Sequence, residues 1–141
     1  MKKTRFDSPI DAEEWFYHSF ASCSVQDMDK VWGDGNVVCI HPGANALVGR
    51  ESVMHSWAKI FVAGEPPEIN YEVVCATESG DLAVHVVEER LGQSGIQSGV
   101  KVMATNVYAR SADGWHMVEH HGSQPMVRPQ PQPVHSKRVL Q

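Results

Sequence analysis

The residues with the widest chemical reach close one late run, Trp115-His116-Met117-Val118-Glu119-His120-His121-Gly122-Ser123. An imidazole titrates near pH 6.5, so either of the paired histidines can serve as acid, base or hydrogen-bond partner near neutrality. Neighbours on a strand point to opposite faces, so only one of His120 and His121 can enter a pocket on a given side. If the face of Trp115, Met117, Glu119 and His121 lines a cavity, His121 enters with Glu119 as a pair suited to general acid–base work. If the face of Val118 and His120 is inside, His120 enters alone. A purely structural reading makes one imidazole a satisfied polar group beside the core and puts the other at a dimer surface.

Other polar candidates lie upstream. His41 ends Val37-Val38-Cys39-Ile40-His41, just before Pro42-Gly43. It is either a second pocket acid–base group or a turn residue bonded to a backbone carbonyl. Asn106 stands mid-run, where asparagine is a poor strand former. A buried amide needs partners, so Asn106 orients a pocket histidine, binds ligand, or ties its strand to a helix end. His85, Glu88 and Glu89 share another run. Adjacent glutamates cannot share a face, so at least one faces solvent or pairs with Arg90 or Lys101. Trp32, Trp57, Tyr108 and Met117 are candidates for an apolar, ligand-contacting wall, and Tyr71 and Tyr108 equally fit core or rim positions.

Several chemistries lack their patterns. There is no HxH or HExxH spacing, so no metal site is expected. Gly92-Gln93-Ser94-Gly95 follows a strand-like run but opens no helix, so it is no phosphate loop. No serine stands in a G-x-S-x-G elbow, and no cofactor is implied. Cys23, Cys39 and Cys75 are scattered and form no CxxC, which fits reduced core thiols in a cytoplasmic protein.

The chain has 141 residues and a net charge of -5, which suits one domain with a core of its own. Its one dense basic spot is Lys137-Arg138, so nucleic acid is not an expected partner. No apolar run approaches the roughly 20 residues of a membrane helix. Lys2, Lys3 and Arg5 are followed by no apolar run, unlike a secretory signal.

The elements that position these residues follow in order. Residues 1–7 are polar and expected to be loose. Ser8-Pro9 opens a helix as cap and first residue, with Ala12, Trp15, Phe16, Phe20 and Cys23 as its apolar face. Ser24 caps a shorter helix with Met28, Val31 and Trp32 inside, stopped by Gly33-Asp34-Gly35. A short strand covers residues 36–41, and residues 44–48 form a second one or an extended loop. A third helix spans Gly49 to Phe61 and buries Val53, Met54, Trp57, Ile60 and Phe61. Long strands follow at 69–77, 82–91, 100–110 and 115–123. In the first of them Ile69, Tyr71, Val73 and Cys75 share a face. The last two flank a turn containing Asp113-Gly114, a hairpin signal. Residues 92–99 read as a loop, and 125–141, with Pro125, Pro129, Pro131 and Pro133, as an irregular tail. Helices first and long strands after argue α+β with an antiparallel meander.

The chain resembles the SnoaL-like branch of the nuclear-transport-factor-2-like (cystatin-like) superfamily. The residues that carry this are Val38-Cys39-Ile40-His41-Pro42-Gly43 after a helix ending in Trp32; Leu47-Val48-Gly49-Arg50-Glu51 followed by Ser56-Trp57 and Ile60-Phe61; Thr105-Asn106-Val107-Tyr108; and the run Trp115 to Ser123. The resemblance covers residues 10–124, within a domain of residues 8–124. It implies a cone: a strongly curved antiparallel sheet wrapped around three N-terminal helices, with an apolar pocket at its open end. It also implies a homodimer through the outer face of the sheet. Members include polyketide cyclases, steroid isomerases, dehydratases and epoxide hydrolases, as well as binding or assembly domains without activity. The cyclases and isomerases use a pocket aspartate. Here Asp7, Asp11, Asp27, Asp29, Asp34, Asp81 and Asp113 all fall in predicted caps, exposed helix positions or turns, so that mechanism does not carry over.

Two functions remain open. One is a pocket protein for a small apolar molecule, doing isomerase-, cyclase- or hydratase-type proton transfer. His121 or His120 would then be base or acid, His41 the second polar group and Asn106 an orienting donor. The other is a non-catalytic dimeric binding or assembly module, its pocket closed by aromatics and its proline-rich tail free to dock a partner.

Overall fold

Serine caps start the first two helices. Ser8 Oγ accepts the Asp11 N–H at the head of α1 (Pro9–Ala21), and Ser24 Oγ accepts the Asp27 N–H at the head of α2 (Val25–Val31). Each cap satisfies an N–H that the first helical turn leaves without a partner. Cys23 lies in the turn between them at φ 52°, not on the α1 face. The chain continues through β1 (Val38–Ile40), β2 (Leu47–Val48), α3 (Arg50–Ala63), β3 (Glu68–Ser79), β4 (Leu82–Gly92), β5 (Val100–Ser111) and β6 (Gly114–Ser123). The computed structural model describes residues 3–92 and 99–126. Most of the loop expected at 92–99, and the tail from 127 on, lie outside the described residues.

The strands form one curved, open sheet in the order β2-β1-β6-β5-β4-β3. Two-residue turns, Gly80-Asp81 and Ala112-Asp113, fix the outer hairpins by pairing Ser79 with Leu82 and Ser111 with Gly114. The meander β3–β6 is antiparallel as expected, but β1 joins β6 in parallel and sets Cys39 beside His120. The three helices pack on the inner face. Ala12, Phe16 and Tyr17 of α1, and Val53, Trp57 and Phe61 of α3, meet Ala83, Val87, Tyr108 and Met117 of the sheet in one core. Ile60, expected in the buried stripe of α3, is 39% exposed.

Two bulges reset which residues face the core. In β6, Met117 pairs with Tyr108 and Glu119 with Val107, so Val118 is an extra residue. A bulge of this kind inverts the strand's alternation beyond it. Met117 and His120 therefore both point inward, a combination that neither simple face of the strand allows, and His121 is turned outward. In β3 the register shifts between Val73 and Cys75. Tyr71 and Val73 face inward, while Cys75 leaves their face and is exposed, which corrects its placement among core thiols.

The N-terminal segment, expected to be loose, is tied down from Thr4 onward. Phe6 is buried and packs on Trp15 and His116. Its carbonyl accepts the Trp115 N–H at 2.8 Å, and Arg5 reaches the Ala112 carbonyl. Gly114 makes this docking possible: at φ 97°, a β-carbon there would stand 2.6 Å from the Phe6 carbonyl oxygen. Gly114→Ala is therefore expected to cost about 2 kcal/mol or more, read as a lower denaturation midpoint.

The outer face of the sheet has no covering layer among the described residues. Val84, Val86, Met103, Thr105 and Val107 lie half-buried on it. No helix among the described residues is long and apolar enough to cross a membrane.

Candidate functional site

Inside the cone, four elements bring titratable side chains to one point. On α1, Glu13 shares the inward stripe with Phe16, Tyr17 and Phe20, three, four and seven residues on. On β4, His85 and Glu89 alternate inward with Ala83 and Val87, while Glu88 points outward to Arg90 and Lys101. On β5, Asn106 and Tyr108 face inward, and β6 sets His120 opposite Asn106. Glu13, Tyr17, His85, Glu89, Asn106, Tyr108 and His120 are all buried.

They form one hydrogen-bonded network. Glu13 is a hub: His85 Nδ1 lies 2.9 Å from its Oε1, and its Oε2 accepts from Tyr108 OH at 2.9 Å and Asn106 Nδ2 at 3.3 Å. Tyr17 OH donates to Glu89 Oε2 at 2.6 Å and accepts from Asn106 Nδ2 at 3.0 Å. The Asn106 amide nitrogen thus serves two acceptors, which aims its oxygen at His120, with Oδ1 2.6 Å from Nδ1. An amide oxygen only accepts, so His120 carries its proton on Nδ1 and its Nε2 is a bare acceptor. Among the described residues no hydrogen bond reaches that Nε2.

Burial decides the charges. Desolvation, with some help from the Glu13 carboxylate, lifts the Glu89 carboxyl to about 7 against the opposing bond from Tyr17. Burial above all drives His120 down to about 3, with smaller contributions from His41 and His121, so it is neutral at physiological pH. Burial first, then the neighbouring carboxylates, pushes both Tyr17 and Tyr108 well up, so each stays a donor. The site therefore pairs a carboxyl that exchanges its proton near neutrality with a neutral imidazole fixed in one tautomer.

Aromatic rings enclose it. Phe16 lies 4.9 Å from His120 and 5.6 Å from Trp57 between ring centres, and Tyr71 stacks on Tyr17 at 4.1 Å. Trp32 and Trp57, expected as apolar wall, are fully buried, and each holds an indole N–H with no hydrogen-bond partner among the described residues. Leaving such a donor unmet costs about 1–3 kcal/mol.

Of the residues singled out in the sequence, the structure gathers His120, Asn106, Tyr108 and Met117 inside, with Trp57 beside His120. Asn106 orients the histidine. His121 is exposed on the outer face opposite Thr105, so the inward His121–Glu119 pair is not formed. His41 is half-buried and joins a separate cluster: its Nε2 is 2.9 Å from Ser56 Oγ and 3.7 Å from Cys39 Sγ, and its ring meets Trp57 edge-on. Burial lowers His41 and lifts the Cys39 thiol to about 12, so that thiol is no nucleophile near neutrality. Glu13, Tyr17 and Glu89 were not singled out as site residues. A charged residue on an apolar helical stripe was the available signal for Glu13. Among the described residues no group of three His, Cys, Asp or Glu side chains is placed to hold a metal ion.

Comparison with known proteins agrees with the fold. The sequence model of the SnoaL-like domain matches residues 11–127. No curated protein matches the chain. A Thiobacillus denitrificans structure, provisionally named a calcium/calmodulin-dependent protein kinase type II association domain, is 37% identical. It superposes with a TM-score of 0.83 over 86% of this chain and 98% of its own. An NTF2-like protein of Streptomyces avermitilis, provisionally named a dehydratase, is 29% identical with a TM-score of 0.75, over 82% of this chain and 92% of its own. A Parabacteroides distasonis protein, provisionally named a ketosteroid isomerase, shares the fold at 16% identity and a TM-score of 0.68, over 93% of this chain and all of its own, 100%.

Proposed function

The chain belongs to the SnoaL-like domain family, and from that premise we propose that its cone is a small-molecule site where Glu89 moves a proton on an apolar ligand. The supporting observation is the interior network. A cone that served packing alone would be filled at less cost by hydrophobic side chains than by two carboxylates and five further polar groups. Here every one of them is buried, and one carboxyl sits near 7, where a general acid–base is most effective. Ionised Glu89 takes a proton from one ligand atom and returns it to another, which is the step common to isomerisation, cyclisation and hydration. Tyr17 holds the carboxyl through its hydrogen bond, and His120 meets a polar group of the ligand. A ligand reaches Glu89 by displacing Tyr71, whose half-buried ring covers Tyr17.

A second reading is a dimeric association module. It is favoured by the half-buried apolar residues on the outer sheet face and by the name of the Thiobacillus protein. Pairing of two copies through that face is compatible with both readings, and a charge at Val86 or Val107 would break it.

Thermal unfolding against cyclic ketones, terpenoids, aromatic acids and polyketide-like compounds separates them. A ligand at a hundred times its Kd adds about 2.7 kcal/mol, roughly 5–10 °C for a domain of this size. The same compounds should stabilise His121→Ala, whose own stability should lie within about 0.5 kcal/mol of the parent because that side chain is exposed. Glu89→Gln should keep binding and lose turnover. No stabilisation by any compound, with a concentration-dependent dimer, would favour the association module.

A further inference from the structure

Resting on the interior as the ligand site, we infer that its Trp57–His120 corner selects a neutral hydroxyl group, an alcohol or phenol, over a carbonyl or a carboxylate. Trp57 offers a buried N–H that no atom of the described residues accepts. His120 offers only a lone pair at Nε2, because the Asn106 oxygen holds its proton on Nδ1 and the Asn106 nitrogen is committed to Glu13 and Tyr17. The two rings are neighbours, with their centres 6.1 Å apart, which sets the indole donor and the imidazole acceptor in one corner of the interior. Phe16 packs against both, so the rest of the ligand meets apolar surface.

One donor and one acceptor in an apolar corner define what fits between them. A hydroxyl oxygen accepts from Trp57 and donates to His120 through the same atom. A ketone oxygen satisfies Trp57 but turns its own lone pair against that of His120. A carboxylate adds an unpaired charge to a site that already holds Glu13, and an ammonium group leaves the indole N–H unmet. Rejection of groups that leave a buried partner unpaired is the stronger form of recognition, because such a group carries its full desolvation cost.

The test uses the full chain labelled with 15N and three probes of one shape: cyclohexanol, cyclohexanone and cyclohexanecarboxylate. The Trp57 indole signal is assigned by its loss in Trp57→Phe or, should that variant not fold, by through-space contacts to Phe16. Cyclohexanol is expected to move the Trp57 N–H and His120 Nε2 signals and to bind at least ten-fold tighter than the other two. Long-range 1H–15N spectra should show the His120 proton on Nδ1. Equal or tighter binding of the ketone or carboxylate at this corner, or a proton on Nε2, would overturn the hydroxyl preference and leave the ligand site standing. If no probe moves any interior signal, the ligand-site reading falls and the preference with it.

Discussion

Glu89→Gln should leave stability near pH 4.5 almost unchanged and raise it by roughly 3 kcal/mol at pH 8, about 10 °C in Tm. The folded protein holds this carboxyl at about 7 against an ordinary value of 4.5. Between those values the native state keeps a proton that the unfolded chain releases. The contribution of Glu89 is therefore fully present below pH 4.5 and is lost as pH rises through 7. Glutamine keeps the shape and an acceptor for Tyr17 but has no proton to lose. His120 works in the opposite sense: held at about 3 against 6.5, it costs stability as pH falls from 6.5 to 3. In the parent the two slopes oppose each other between pH 4.5 and 6.5 and leave a nearly flat profile. In the variant only the His120 slope remains, so stability should climb steadily from pH 3 to 6.5. Urea midpoints across this range, with m-values checked for constancy, measure the difference.

Asn106→Leu should have a comparable effect of opposite sign, a loss of roughly 3 kcal/mol or more at neutral pH. Leucine fills much of the same volume but breaks three bonds at once, those to Glu13, Tyr17 and His120. The acceptors keep other partners: Glu13 retains Tyr108 and His85, and Tyr17 retains Glu89. The His120 Nδ1–H does not, and a buried donor left alone costs the most. The loss should shrink markedly in His120→Phe, where no such donor exists. That non-additivity, read from a double-mutant cycle in Tm and urea midpoint, separates the bond to His120 from a general packing defect. Equal losses in both backgrounds would mean that Asn106 does not hold the histidine.

Why some of this could be read in the sequence and some could not is a matter of period and partner. The capped helices at Ser8 and Ser24, the Asp113-Gly114 hairpin and the four long strands rest on local chemistry, and each stands where the spacing places it. The inward residue of the His120-His121 pair rests on alternation, and one extra residue, Val118, undoes alternation. No glycine marks that bulge, so neither assumed face described the strand. Val74 does the same to Cys75. On β4 both faces carry valine, so period alone could not tell that Glu89 turns inward and Glu88 outward; the choice is made by Tyr17 on one side and by Arg90 and Lys101 on the other. Tyr17 lies 72 residues from Glu89 in the chain, and a partner so distant is set by tertiary packing. Asn106 was legible because a lone amide in an apolar strand has to bond something, and it does bond the histidine.

The most direct test is a titration of the Glu89 side-chain carboxyl by 13C NMR, with Glu89→Gln as the assignment control. A midpoint near 7, moved when an interior ligand binds, is what a proton-transferring site inside the cone requires. A midpoint near 4.5, indifferent to every ligand, would show that Glu89 is a solvated carboxylate and contradict the account.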